Sequence, residues 1–268
     1  MNILDEIIAR TNVRVQKQKE LYPFKLLEQS VFYEASCVSL RKYLQRKDLH
    51  GIIAEYKRKS PSKGVLNNYA SVEQTTLGYM QAGASALSIL TEPEFFNGKS
   101  EDLNIARKFN YCPIIRKDFI LDEYQVIEAK SIGADAVLLL ANVLSVEQVL
   151  NFSNMAYSLG LEVILEVREV QDLDKLNENV NIVGVNNRNL KDFTENIDQS
   201  FRLADLIPHE YLKISESGIS RAETILELKQ AGYNGFLIGE TFMRHSRPEQ
   251  ACANFIKSID AISSITRQ

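Results

Sequence analysis

Two hydrophobic rhythms alternate along the chain. Short apolar runs rich in β-branched residues stand at 51–57, 85–90, 112–117, 134–140, 161–166, 181–186, 211–216 and 234–239. Between them lie stretches with apolar residues three and four apart, among them 72–81, 123–131, 146–159, 201–206 and 221–230. A short continuous apolar run reads as a strand buried on both faces, and the three-and-four spacing reads as amphipathic helix. The run ends, taken at 57, 90, 117, 140, 166, 187, 216 and 239, are separated by 33, 27, 23, 26, 21, 29 and 23 residues. Such intervals suit one helix and its two turns. Glycines at 83, 133, 160 and 232 stand where helices should stop before the next strand, because a helix commonly ends in a left-handed residue that favours Gly.

Eight strand–helix units of this length predict an α/β fold, a closed (β/α)8 barrel, which typically takes about 250 residues. An open doubly wound sheet ordinarily stops at fewer strands. Residues 1–50 precede the first run and carry Ile3, Leu4, Ile7, Ile8, Leu21, Phe24, Leu26 and Leu27. They read as a helical N-terminal extension covering the barrel. No Pro/Gly-rich linker sets them apart, so residues 1–268 are expected to form a single domain, with the extension at 1–50 and the barrel at 51–268.

The bulk composition narrows the function classes. With 268 residues, 45% hydrophobic and 25% charged, and a net charge of −4, nothing global favours nucleic acid or an anionic membrane. Cys37, Cys112 and Cys252 are far apart and lack C-x-x-C spacing, and His50, His209 and His245 are scattered. Neither a disulfide framework nor a metal site is expected. The N-terminus carries Asp5 and Glu6 and no apolar run of signal-peptide length, and no segment approaches the roughly 20 apolar residues of a membrane span. A cytoplasmic protein is expected.

In such a barrel the chemistry sits at the C-terminal ends of the strands. The first run ends in Glu55 and Lys57, the third in Lys117, the fifth in Glu166, the sixth in Asn186 with Arg188 just beyond, the seventh in Glu216-Ser217-Gly218 and the eighth in Gly239. Strand alternation puts Glu55 and Lys57 on one face, Lys117 with Ile115 and Glu166 with Ile164. Any one of these charges alone would read as a solvated rim residue. Converging on one mouth, they perturb each other's pKa values and suit general acid–base work. The basic loop 57–64 is closed by Pro61 and Gly64 and suits an anion. Ser217-Gly218 and Gly239-Glu240 follow the seventh and eighth runs, where these barrels place a phosphate cradle. Phe95, Phe96 and Phe119 fall on the same loop side, where an aromatic ring would find a partner.

The motifs Ile-Ala-Glu-Tyr-Lys-Arg-Lys-Ser-Pro-Ser-Lys-Gly at 53–64, Ser-Ile-Leu-Thr-Glu at 88–92, Phe-Phe-Asn-Gly at 95–98, Ile-Arg-Lys-Asp-Phe at 115–119, Glu-Val at 166–167, Gly-Val-Asn-Asn-Arg-Asn-Leu at 184–190, Ser-Glu-Ser-Gly-Ile at 215–219 and Leu-Ile-Gly-Glu at 237–240 occur in this order. In order and spacing the chain resembles the indole-3-glycerol-phosphate synthase family over essentially its whole length. The resemblance implies a lyase of tryptophan biosynthesis that closes the indole ring of 1-(2-carboxyphenylamino)-1-deoxyribulose 5-phosphate, releasing carbon dioxide and water. It implies no cofactor; no obligatory protein partner is evident in the sequence, and the expected partner is the small anionic aryl sugar phosphate. Carried over by position, Lys117 would be the general acid at the ketone and Glu166 would serve the dehydration. Lys57, steadied by Glu55, would hold the substrate carboxylate or act as a second acid. Asn186, Arg188 and Glu216 would orient hydroxyl and catalytic groups. Ser60, Ser217, Gly218, Gly239 and Glu240 would hold phosphate, and Phe96 and Phe119 would line the aryl pocket.

Many relatives have Ser where Glu240 stands, and a carboxylate repels phosphate, so the backbone N–H is the expected donor there. Tyr56 and Asn187 replace smaller residues and lie between inward positions, so they are expected to matter little. Two other readings are a sugar-phosphate isomerase on the same barrel, like phosphoribosylanthranilate isomerase, and a non-catalytic phosphate-binding barrel. The first typically needs a Cys/Asp acid–base arrangement at strand ends, and no cysteine of this chain ends a strand. The presence of both Lys117 and Glu166 speaks against the second.

Overall fold

A computed structural model of the chain describes residues 2–189 and 192–265, so Leu190, the last residue of the 184–190 motif, lies outside the described residues. Eight strands, β1 (Ile52–Tyr56), β2 (Ala86–Leu90), β3 (Ile114–Lys117), β4 (Ala136–Leu140), β5 (Glu162–Val167), β6 (Ile182–Asn186), β7 (Leu212–Glu216) and β8 (Gly235–Ile238), pair in parallel and close into a barrel. Closure is by β1 on β8, with Ile53 opposite Leu237. Helices α1 (Ile3–Leu21), α2 (Phe24–Leu27) and α3 (Leu40–Leu44) precede the barrel. Around it lie α4 (Val72–Gln81), α5 (Ser100–Phe109), α6 (Glu123–Ser131), α7 (Val146–Ser158), α8 (Asp198–Ala204), α9 (Ala222–Gln230), α10 (Glu240–Met243) and α11 (Pro248–Ile265).

Strand alternation divides the apolar residues between two cores. Ile53, Ala86, Ile115, Leu138, Ile164 and Ile214 fill the barrel, while Leu87, Ile89, Val137, Leu165 and Val183 meet the helices. Because both faces are covered, the strands read as continuous apolar runs instead of alternating ones.

Two helical expectations need correction. The fifth unit has no α-helix; a 3-10 turn at Val170–Lys175 takes its place. Its interval, 166 to 187, is the shortest of the seven, and Asp172 Oδ2 caps the turn by accepting the N–H groups of Arg168 and Glu169, each at 2.9 Å. The sixth helix spans Asp198–Ala204 instead of 201–206, because its buried face begins with the polar pair Gln199 and Ser200, which an apolar rhythm passes over. Likewise, α5 buries only Asp102, Leu103 and Ala106 and carried too few apolar positions to be singled out.

The extension runs from the mouth of the barrel to its base. Leu4 and Ile7 of α1 join the cluster that holds Phe95 and Phe96. Farther along, Arg14 donates to Asp118 at 2.9 Å and Lys19 to Asp122 at 2.7 Å. At the base, Ser39 Oγ and the Arg41 N–H both donate to Glu162, and Leu40 and Leu44 pack under the barrel interior.

Candidate active site

The odd-numbered strands end in one layer of inward side chains: Glu55, Lys117, Glu166 and Glu216. Barrel interiors are filled in such layers from alternate strands, and here the uppermost layer is charged instead of apolar. It floors a cavity of ≈ 310 Å³ at the C-terminal mouth, a volume within the range of small-molecule sites. All fourteen predicted site residues line it: Glu55, Lys57, Ser60, Phe96, Lys117, Phe119, Glu166, Asn186, Arg188, Glu216, Ser217, Gly218, Gly239 and Glu240. None of the three cysteines does.

Lys117 is the hub. Its Nζ donates to Glu216 Oε2 at 2.7 Å and to Glu166 Oε2 at 3.2 Å. Glu166 is held from its other side by Asn186 Nδ2 at 2.8 Å, and the Asn186 side-chain oxygen accepts the Arg188 N–H at 2.9 Å. Lys57 and Glu55 pair at 2.6 Å. Burial pulls the Lys117 pKa down, but Glu216, Glu166 and Glu55 more than reverse this and hold the ammonium above the ordinary lysine range. Burial also pushes Glu216 up to about 7, against the pull of Lys117 and with the repulsion of Glu166 and Glu55. Both shifts hold together because Lys117 touches two carboxylates and keeps one contact when the other takes a proton.

Two glycines make room for this layer. A Cβ on Gly184 would fall on Glu216 Oε1, and a Cβ on Gly239 would fall on Glu55 Oε1, far inside contact distance. Glu216 Oε1 is buried with no hydrogen-bond partner, so that oxygen faces the space beside Gly184. Gly239 was expected only as a phosphate-side residue; its missing side chain also admits Glu55.

On the loop after β7, Ser217 and Gly218 both adopt positive φ, 67° and 74°. A serine in this region costs energy that surrounding structure must offset. Asn187 supplies it: fully buried, it donates to Ser215 Oγ and to the Ser217 carbonyl at 3.0 Å each and accepts from Ser200. The expectation that Asn187 matters little is therefore corrected, since pointing away from the barrel interior places it where the loop needs a brace. Tyr56 likewise faces outward and is buried, its hydroxyl donating to the Ala70 carbonyl at 2.6 Å. Glu240 opens the one-turn α10, so its N–H has no intrahelical acceptor. Its carboxylate meets Arg188 at 3.1 Å and Lys63 at 3.8 Å. Arg188 also pairs with Glu195 and donates to Ser62 on the hairpin Lys59–Ser60 / Gly64–Val65.

One wall of the cavity is apolar, formed by Phe96 and Phe119, ring centroids 6.1 Å apart, with Leu138 and Leu140. Glu92 sets Phe96 in place: its buried carboxylate accepts the N–H groups of Glu94, Phe95 and Phe96 at 3.0, 2.7 and 3.0 Å. Sequence reasoning missed several wall residues, among them Asp118, Phe193, Glu195 and Arg244. Asp118 had a signal, since it follows Lys117 inside a quoted motif; the others lie on loops whose path no periodicity fixes.

The sequence model of the family described as indole-3-glycerol phosphate synthase matches residues 4–255. Curated relatives under that name include one from Bacteroides thetaiotaomicron, 45% identical over 96% of this chain and 99% of its own, and one from Salinibacter ruber, 41% identical over 94% of each. Among solved structures, 3-hexulose-6-phosphate synthase from Salmonella typhimurium superposes with a TM-score of 0.62 at 13% identity, covering 79% of this chain and 99% of its own. A tryptophan synthase chain from Pyrococcus furiosus gives 0.58 at 15%, covering 80% of this chain and 99% of its own; both likenesses speak for the barrel alone. A family match over nearly the whole chain, joined to the charged layer at the barrel mouth, leads to one conclusion: the chain belongs to the indole-3-glycerol phosphate synthase family.

Proposed function

We propose that this chain closes the indole ring of 1-(2-carboxyphenylamino)-1-deoxyribulose 5-phosphate through the residues gathered around Lys117. The observation that carries this reading is the Lys117 ammonium, held between Glu166 and Glu216 beside an aromatic wall. The substrate's ring lies against Phe96 and Phe119, and its phosphate lies toward Ser60, Ser217-Gly218 and the N–H of Glu240. That orientation brings the aryl carbon that bears the carboxylate toward the ketone carbon.

As the new carbon–carbon bond forms, negative charge develops on the ketone oxygen. Lys117 donates its proton there and is the general acid. Lys57, steadied by Glu55, holds the substrate carboxylate until carbon dioxide departs and the ring regains aromaticity. The hydroxyl left by the ketone then departs as water; Glu166, oriented by Asn186, moves the proton that this dehydration requires. Glu216 fixes Lys117 from the opposite side to Glu166. Fixed charges aimed at a developing alkoxide are among the largest contributions a protein makes to such a step. The enzyme acts on this small anionic substrate alone, without nucleic acid, membrane or obligatory partner, and in the cytoplasm; among the described residues no helix is long and apolar enough to cross a membrane. Incubation of the purified chain with the substrate, followed by indole fluorescence and carbon dioxide release, tests the reading. Release of neither product overturns it.

A further inference from the structure

The cations around the cavity are nearly all neutralised before any substrate arrives. Lys57 pairs with Glu55, Lys117 with Glu166 and Glu216, Arg188 with Glu195 and Glu240, and Lys63 with Glu240. The substrate in the reading above brings a carboxylate and a phosphate, the latter carrying roughly −1.5 to −2 charges at neutral pH. Against that load the cavity wall has one cation with no carboxylate within ion-pair distance among the described residues: Arg244.

Its position gives the free charge a use. Arg244 follows α10 directly, one turn after Glu240, and its backbone N–H donates to the Glu240 carbonyl. Residues four apart on a helix face each other, and an ion pair between Glu240 and Arg244 would be the ordinary outcome. Here the Glu240 carboxylate turns to Arg188 and Lys63 instead, and Arg244 stands exposed at the phosphate end of the wall.

We propose that Arg244 is a phosphate-binding residue: its guanidinium takes the substrate's phosphate oxygens and offsets the carboxylate of Glu240 beside them. A guanidinium presents paired N–H donors that match phosphate oxygens. The assignment rests on the phosphate end lying at Ser217-Gly218 and Gly239-Glu240.

Arg244→Met and Arg244→Lys test it, because the residue is exposed and its removal leaves the core intact. The readouts are KM and kcat for the phosphorylated substrate, together with the competitive inhibition constant of inorganic phosphate. Loss of one charge-assisted contact is worth about tenfold or more, so Arg244→Met should raise both KM and the phosphate inhibition constant about tenfold while kcat stays within about twofold. Arg244→Lys should recover part of the loss. Inorganic phosphate that competes in the parent enzyme and competes equally well with Arg244→Met overturns the Arg244 assignment alone. Absence of competition in the parent enzyme overturns the location of the phosphate end, and the assignment with it. A fall in kcat at unchanged KM overturns the binding role.

Discussion

Glu216 Oε2 stands 2.7 Å from Lys117 Nζ, closer than the 3.2 Å of Glu166 Oε2. The tighter partner of the candidate acid is thus the carboxylate at the end of β7, not the one the family resemblance pairs with the dehydration. Ninety-nine residues separate the two in sequence; barrel closure brings them together.

Lys117→Ala is expected to lower turnover by on the order of 10²-fold or more, the usual scale for losing a general acid. Lys117→Arg keeps the charge but holds its proton too firmly to donate it, and should restore little. Steady-state indole fluorescence measures both, and near-normal turnover in Lys117→Ala would falsify the acid assignment.

Glu216 titrates near neutrality, pushed up by burial from an ordinary 4.5 to about 7. A carboxyl raised in the folded state keeps a proton that the unfolded chain releases, so its contribution to stability is complete below the unfolded value and is lost as pH rises through about 7. Glu216→Gln should therefore flatten the decline of thermal stability between these two pH values. In the parent enzyme kcat/KM should rise through pH 7 as Glu216 ionises and grips Lys117. Persistence of that limb in Glu216→Gln would assign it to another group.

Gly184→Ala places a methyl group where Glu216 Oε1 now lies, with Ile164 Cγ2 also within 3.1 Å of it. Glu216 must swing aside, and Lys117 with it. Because small misplacements of catalytic groups cost up to about 10²-fold, kcat should fall at least about tenfold. A variant that folds normally and turns over at the parent rate would show that Glu216 does not set the position of Lys117.

Arg14 reaches from the extension to Asp118, the residue after Lys117, across 104 positions of sequence. Burial pushes the Asp118 carboxyl up, but Arg14 and Arg116 more than reverse that and keep it below the ordinary range. Arg14→Met removes one of these charge-assisted contacts and should cost about 2 kcal/mol of stability, read by chemical denaturation. Thr91 and Arg116 still hold Asp118 at 2.7 and 3.2 Å, so folding should survive. Unchanged stability would mean that the extension is anchored elsewhere.

The barrel was legible because each strand is buried on both faces and each covering helix on one, so the two rhythms survive in the apolar residues themselves. Where a buried face is polar, as at Gln199 and Ser200, or a unit is too short for a helix, as at Val170–Lys175, the rhythm misleads. Period-two alternation also points Lys117 and Glu166 to the mouth and puts Glu55 on one face with Lys57. It could not rank their partners.

By itself, then, the sequence determined the number of barrel strands, which strand ends carry charge, and the family, because these depend on local spacing and on motifs read in order. The tertiary structure alone decided that Glu216 is the nearer carboxylate to Lys117, that Gly184 and Gly239 open space for two glutamates, and that Asn187 braces the turn at Ser217. Each of these is a distance between residues far apart in the chain. Such distances are set by the closure of the barrel and the packing of its loops, which no local periodicity encodes.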